Sequence, residues 1–355
     1  MGVTQVTTEA FKALTFQAGT RQRFHVFVGE LASGARMEIP VEVIAGKQTG
    51  PTVYVGGGAH GEEPAAMAAV ALAAKNASPD RVKGTLIAVP CQNPPAWSFR
   101  GRHYPLDAPN PGDVSGMPPD AGGVMSARVT SALVDSIAAR AQFALDVHAT
   151  HLDSINYPRV MVTTTGSEAA DVQAKRLAMA KAAGYEIIHL WKRAGDRNGI
   201  TGTLSHRGVP AIGIEAGEGW RALPPFPAMM ERGIVNVLKH TGLLDGEPEM
   251  PHVQVEVTTR FEVTANRGGM SHLRVKPGDY VAEGQVVAEI RDMFGDVLEE
   301  LRTPFSGIII RCSLLPTVAT GARVCNVYQT DKKEEWTKRR LPALERQISV
   351  TGLGA

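Results

Sequence analysis

The sequence is poor in cysteine. Three residues, Cys91, Cys312 and Cys325, stand far apart among 355, with no C-x-x-C pair. That excludes a disulfide framework and a thiolate metal site, and it predicts reduced thiols in a cytoplasmic protein. An apolar run of about 18 residues, the length a membrane helix needs, is also missing. The longest helix-like apolar run, Pro64 to Ala74, falls short of it. The first residues lack the basic and apolar regions of a signal peptide. Val6 stands where a myristoylation motif carries Ser or Thr. Nor does one sign of charge dominate: 37 Lys and Arg against 36 Asp and Glu give +1. Nucleic acid and anionic membrane both call for a basic face, so neither is an expected partner.

What is present is an ordinary globular balance, 43% hydrophobic and 21% charged, in a chain long enough for two domains. Phe24 to Val28 and Met37 to Ile44 read as strands flanking the turn Ala32-Ser33-Gly34. Thr52 to Val55 reads as a buried strand running into Gly56-Gly57-Gly58, with a helix opening at Pro64. Further strands are expected at 85–89, 143–147, 160–164 and 209–214, and helices at 124–141, 168–183 and 227–241. Residues 92–123 read as a long irregular loop rich in Pro and Gly, the kind that is often functional. Alternating strands and helices predict an α/β layered sheet over residues 1–245. After a linker at 242–251, short strands and glycine turns predict a β-rich domain over 252–355.

Candidate chemistry sits at the strand ends, where open α/β sheets place their sites. His60 and Glu63 share the turn after the glycine run, so both can point above the strand, and both are ordinary zinc ligands. The three glycines would allow close backbone approach to a ligand. A third ligand should come from another strand end. His148 fits, with Asp146 on the same face to orient it, and His151 is its rival. A base is needed beside a metal-activated water. Glu215, after the apolar strand 209–214, is the candidate, with Glu218 the alternative. In the long loop, Trp97 and Tyr104 can wall an acyl or leaving group. Thr150 can hydrogen-bond substrate.

Taken together, Gly57-Gly58-Ala59-His60-Gly61-Glu62-Glu63, Asn93-Pro94-Pro95-Ala96, Arg102, Asp146-Val147-His148 and Ile214-Glu215-Ala216-Gly217 resemble the succinylglutamate desuccinylase/aspartoacylase family. The resemblance spans roughly residues 50–245. It implies a zinc-carboxypeptidase-like α/β/α layered mixed sheet. It implies one Zn2+ per chain on His60, Glu63 and His148, with Glu215 as general base and Arg102 as an oxyanion or substrate contact. The implied reaction is hydrolysis of a small N-acyl amide. One departure stands out. The family usually carries an Asn-Arg pair after a Pro-x-Asp segment, and its Arg grips a substrate carboxylate. Here Pro105-Leu106-Asp107 is followed by Ala108-Pro109-Asn110-Pro111 and then Gly112-Asp113. A carboxylate cannot replace a guanidinium clamp. A substrate without the usual carboxylate at that point, or with a cationic or neutral group, is therefore expected, with Asn110 and Asp113 as contacts.

The tail is similar to a biotinyl/lipoyl-like barrel, through Val275-Lys276-Pro277-Gly278-Asp279 and the weaker echo Pro316-Thr317-Val318. No Lys occurs from Tyr280 to Thr330, so a carrier role is not expected. The sequence thus predicts a cytoplasmic zinc-dependent amidohydrolase of small molecules, assembled as a homo-oligomer. A metallo-carboxypeptidase, or a non-catalytic metal- or partner-binding module, is the alternative.

Overall fold

Val53, Tyr54 and Val55 are each at most 1% exposed, yet their side chains alternate between two separate apolar cores. A strand buried on both faces must lie inside a sheet covered on both sides. The computed structural model describes residues 2–107, 112–164, 166–192 and 199–338, and it has that arrangement. The main strands are β1 (Val3–Thr7), β2 (Thr20–Glu30), β3 (Arg36–Ala45), β4 (Gln48–Gly57), β5 (Lys83–Val89), β6 (Phe143–His148), β7 (Ser154–Thr164), β8 (Ile187–Lys192) and β9 (Ala211–Glu218). They lie in the order β1-β2-β3-β5-β4-β6-β9-β7, with β8 beside β7. Strands β5, β4, β6 and β9 run parallel, and β3 and β7 run antiparallel to their neighbours in that set.

The helices are α1 (Thr8–Ala13), α2 (Pro64–Asn76), α3 (Pro94–Ser98), α4 (Met125–Ser131), α5 (Ala170–Ala182), α6 (Gly199–His206) and α7 (Phe226–His240). Apolar residues of α2, α5 and α7 pack on one face, and those of α1, α4 and α6 on the other. Helix α2 is nearly all alanine on its buried side, which lets α7 lie close against it.

Several expected boundaries move. The strand expected at 160–164 begins at Ser154, and the one expected at 209–214 covers 211–218. Glu215 is therefore inside a strand rather than beyond its end. The helix expected over 124–141 is α-helical only to Ser131 and continues as a wider π-helical turn over Ala132–Ile137. The supposed loop 92–123 holds α3, where Pro lies at the start and the Asn93 side chain accepts from Ala96 N at 3.3 Å. Strand β1 was not anticipated because its side chains are mostly exposed, and pairing with β2 makes it a strand rather than burial.

The tail comprises β10 (Val255–Val257), β11 (Arg260–Thr264), β12 (Gly269–Leu273), β13 (Tyr280–Val281), β14 (Val286–Arg291), β15 (Val297–Arg302), β16 (Gly307–Ser313), β17 (Thr317–Val318), β18 (Arg323–Gln329) and the short helix α8 (Lys333–Thr337). Strands β15-β14-β12-β17 form an all-antiparallel sheet of their own. Strands β16, β18 and β11 instead continue the main sheet, because β16 pairs with β7 through Arg311 opposite Asn156. Cys312 and Cys325 face each other across β16 and β18 as buried free thiols. Burial pushes the Cys325 thiol up to about 12, which keeps it protonated. No helix among the described residues is long and apolar enough to cross a membrane.

Candidate metal centre and active site

The turn between β4 and α2 brings His60 and Glu63 together, and β6 ends at His148 beside them. Glu63 joins the two imidazoles. Its Oε1 accepts from His60 Nδ1 at 2.9 Å and its Oε2 from His148 Nδ1 at 2.9 Å. One candidate ligand atom from each residue lies within 4.8 Å of the other two. Each imidazole also carries a carboxylate on its far nitrogen. Asp146 Oδ2 accepts from His148 Nε2 at 3.1 Å, and Asp113 Oδ1 accepts from His60 Nε2 at 3.1 Å. The Ser115 hydroxyl also reaches His60 Nε2, at 2.9 Å. A ligating imidazole is commonly held by such a partner behind it, which fixes the ring and raises its basicity.

These contacts set the protonation of the site. Burial works against a charged imidazole, but Asp146 and then Glu63 outweigh it and hold His148 well above the ordinary range. Glu63 and Asp113 likewise overcome burial at His60. The two imidazoles in turn hold Glu63 well below the usual carboxylate range, against its own burial. Three carboxylates, Glu63, Asp113 and Asp146, thus place negative charge around the two rings. A buried site with that charge is one that a divalent cation can enter in competition with protons. Two imidazoles and a carboxylate are an ordinary catalytic donor set, so the residues present fit a metal ion.

His151, the rival ligand, stands apart. Its side chain is 48% exposed and its nearest acid, Glu62, is 3.8 Å away. Burial, then Arg102 and Arg311, push it down to about 4, so it is neutral near pH 7. Glu215 lies on β9 directly opposite His148 on β6. Asn156 Nδ2 donates to its Oε1 at 2.9 Å, and Arg159 donates to its Oε2. Glu218, the alternative base, is 2% exposed and bonded to Arg221 instead. Arg102 donates to Glu62 at 2.7 Å and to Glu63 at 3.3 Å, which fixes its guanidinium at the edge of the triad.

The remaining expected residues are dispersed. Tyr104 is buried, 2% exposed, with its backbone paired to Gly112, whereas Trp97 is 45% exposed on α3. The Thr150 hydroxyl is buried against Ser154, 3.1 Å away. Asn110 lies outside the described residues. The glycine run is packed closely against the protein's own groups. A Cβ on Gly57 would meet Ala66 O at 3.1 Å, and one on Gly56 would meet Gln92 Nε2 at 1.9 Å. Gln92 in turn donates to Asp146 at 3.1 Å. Gly61 is closed in by backbone rather than side chain, since an added Cβ would lie 2.2 Å from the Ala96 carbonyl carbon. Gly61→Ala must push α3 away from the ligand turn. It is expected to cost about 1–3 kcal/mol and to weaken metal uptake, which urea unfolding and metal titration read separately.

The motif order, the triad and the mixed sheet converge with comparison to known proteins. Residues 49–241 match the succinylglutamate desuccinylase/aspartoacylase catalytic domain. The chain belongs to this family. It is a hydrolase of linear amides, a deacylase of N-acyl amino compounds, with a His/Glu metal-binding triad. An N-alpha-acetyl-L-2,4-diaminobutyric acid deacetylase of Halomonas elongata is 29% identical over 270 residues, 74% of this chain and 77% of that one. A succinylglutamate desuccinylase/aspartoacylase structure from Rhodobacter sphaeroides superposes with a TM-score of 0.78 at 25% identity, covering 89% of this chain and 98% of that one. The ectoine utilization protein EutE (DoeB) of Ruegeria pomeroyi shares the fold, with a TM-score of 0.75 at 23% identity over 87% and 94% of the two chains. Asp113, expected as a substrate contact, lies against His60, a contact between residues 53 apart in sequence. Gln92, Asn156, Arg159 and Arg311 were not singled out by the sequence reading. The one available signal was charged and amide side chains inside otherwise apolar strands, as at Asn156 and Arg159 within β7.

Proposed function

We propose that the chain is a cytoplasmic zinc-dependent deacylase that cleaves a small N-acyl amino acid, with one Zn2+ held by His60, Glu63 and His148. The supporting observation is the Glu63 carboxylate shared by two imidazole Nδ1 atoms, each imidazole backed by its own carboxylate. A divalent ion bound there would supply a Lewis acid and an acidified water. Glu215 takes a proton from the attacking water as its oxygen bonds to the acyl carbon. Arg102, fixed by Glu62 and Glu63, donates to the oxygen that gains charge in that step. The C–N bond then breaks, and Glu215 passes its proton to the departing nitrogen. Asn156 and Arg159 hold both Glu215 oxygens in place, so the base keeps one orientation through both transfers.

Under this reading Asp113 orients the His60 imidazole rather than touching the substrate. Asp113→Asn should weaken metal affinity by about 10–100-fold and leave KM of the fully metal-loaded enzyme unchanged. Competition with a zinc indicator checks the first part and saturation kinetics the second. The reaction itself is tested by amine release from a panel of N-acetyl and N-succinyl amino acids. Release abolished by chelator and restored by zinc supports the proposal. Release that survives metal removal contradicts it.

A further inference from the structure

Two arginines are buried beside Glu215 with part of each guanidinium unused. Arg159 is 7% exposed and Arg311 is 6% exposed. Arg159 binds Glu215 through one terminal nitrogen, and Arg311 binds Asp153 through one, at 3.0 Å. The Nε and the other terminal nitrogen of both arginines are buried with no hydrogen-bond partner among the described residues. A guanidinium cannot shed its charge, and a buried donor left without an acceptor is costly.

The strands are shaped to produce this pairing. The register of β7 slips between Asn156 and Arg159, so that three residues there oppose two on β9. That irregularity places Asn156 and Arg159 on the same face, towards Gly217 and Glu215. A second slip, between Ile309 and Arg311 in β16, sets Arg311 opposite both Asn156 and Asn326. One arginine thus comes from the catalytic sheet and the other from the tail. The neighbouring atoms Asn156 Oδ1, Asn326 Oδ1 and His189 Nε2 are also buried, with no hydrogen-bond partner among the described residues. The cluster therefore offers guanidinium donors together with two amide acceptors.

We propose that Arg159 and Arg311 form the site for the substrate carboxylate, standing in for the clamp that Gly112-Asp113 lacks. This rests on the deacylase reading above. A carboxylate carries acceptor positions on both oxygens and matches the fork of a guanidinium. The orphan amide oxygens suit N–H groups on the same molecule. Arg159 bonds directly to Glu215, so a carboxylate held there lies next to the base. The substrate class is then an N-acyl α-amino acid with a free carboxylate, read jointly by both parts of the chain.

The test is calorimetric titration of the metal-loaded full chain with free L-amino acids bearing basic, neutral and acidic side chains, each paired with its carboxamide. The acid of the best-binding pair should bind at least about tenfold more tightly than its carboxamide, the range of a charge-assisted contact. Arg311→Met should abolish that preference, and Arg311→Lys should keep part of it while preserving the charge that bonds Asp153. A wild type that binds acid and carboxamide equally, or binds neither, overturns the proposal. So does a preference that Arg311→Met leaves intact, or a loss shared equally by both ligands in Arg311→Lys. Hydrolysis of the N-acyl panel reads the deacylase reading independently. An acid preference without hydrolysis of any panel member would overturn that reading and leave the carboxylate site standing.

Discussion

Glu215→Gln lowers kcat by about 10²–10⁴-fold, the usual worth of a positioned general base, and leaves metal content unchanged. The substitution keeps the shape and the oxygen that accepts from Asn156, but it removes the atom that carries the proton. Glu215 is no part of the donor triad, so the ion stays bound. Its partner Arg159 loses a charge-assisted bond while remaining buried, so some loss of stability accompanies the loss of rate. Measuring kcat, metal content and urea unfolding on the same preparation separates these effects. A variant with near-normal kcat would remove Glu215 from the chemistry and return the question to Glu218, despite the bond between Glu218 and Arg221.

Arg102→Met carries the second-largest expected effect, a fall in kcat of about 10²–10³-fold with a smaller change in KM, as for loss of one oxyanion donor. Two buried acids fix the guanidinium, so it is in place before the charge develops. The same acids predict a secondary cost. Glu62, 2% exposed, would lose its nearest cation. Arg102→Lys keeps the positive charge but not the fork, and should recover only part of the rate. Steady-state kinetics of the two variants decide it. A KM effect alone, with kcat preserved, would make Arg102 a ground-state substrate contact instead.

How legible the site is in the sequence depends on how locally each residue is specified. His60 and Glu63 lie in one turn, so spacing and the preceding strand suffice to pair them. The choice of His148 over His151 depends on where β6 ends, and a boundary of one or two residues is beyond propensity. Glu215 is legible from its apolar strand, although that strand runs past it. Asp113 is not legible as a partner of His60, because a chain path of 53 residues brings it there. Arg159 and Arg311 are hidden for a different reason. Their shared face depends on two register irregularities, and the period-two rule would have sent Asn156 and Arg159 to opposite faces. The layered α/β fold was legible because buried strands and an alanine-rich helix leave strong patterns. The pairing of β16 with β7 was not, since long-range strand partners leave no local trace.

The central claim is that His60, Glu63 and His148 hold a catalytic metal ion. Elemental mass spectrometry of wild type and His60→Ala, purified without chelator, tests it most directly. The account predicts about one zinc per wild-type chain, as in three-ligand catalytic zinc sites, and its loss together with turnover in the folded variant. A folded wild type that carries no metal and takes up none when zinc is added would contradict it.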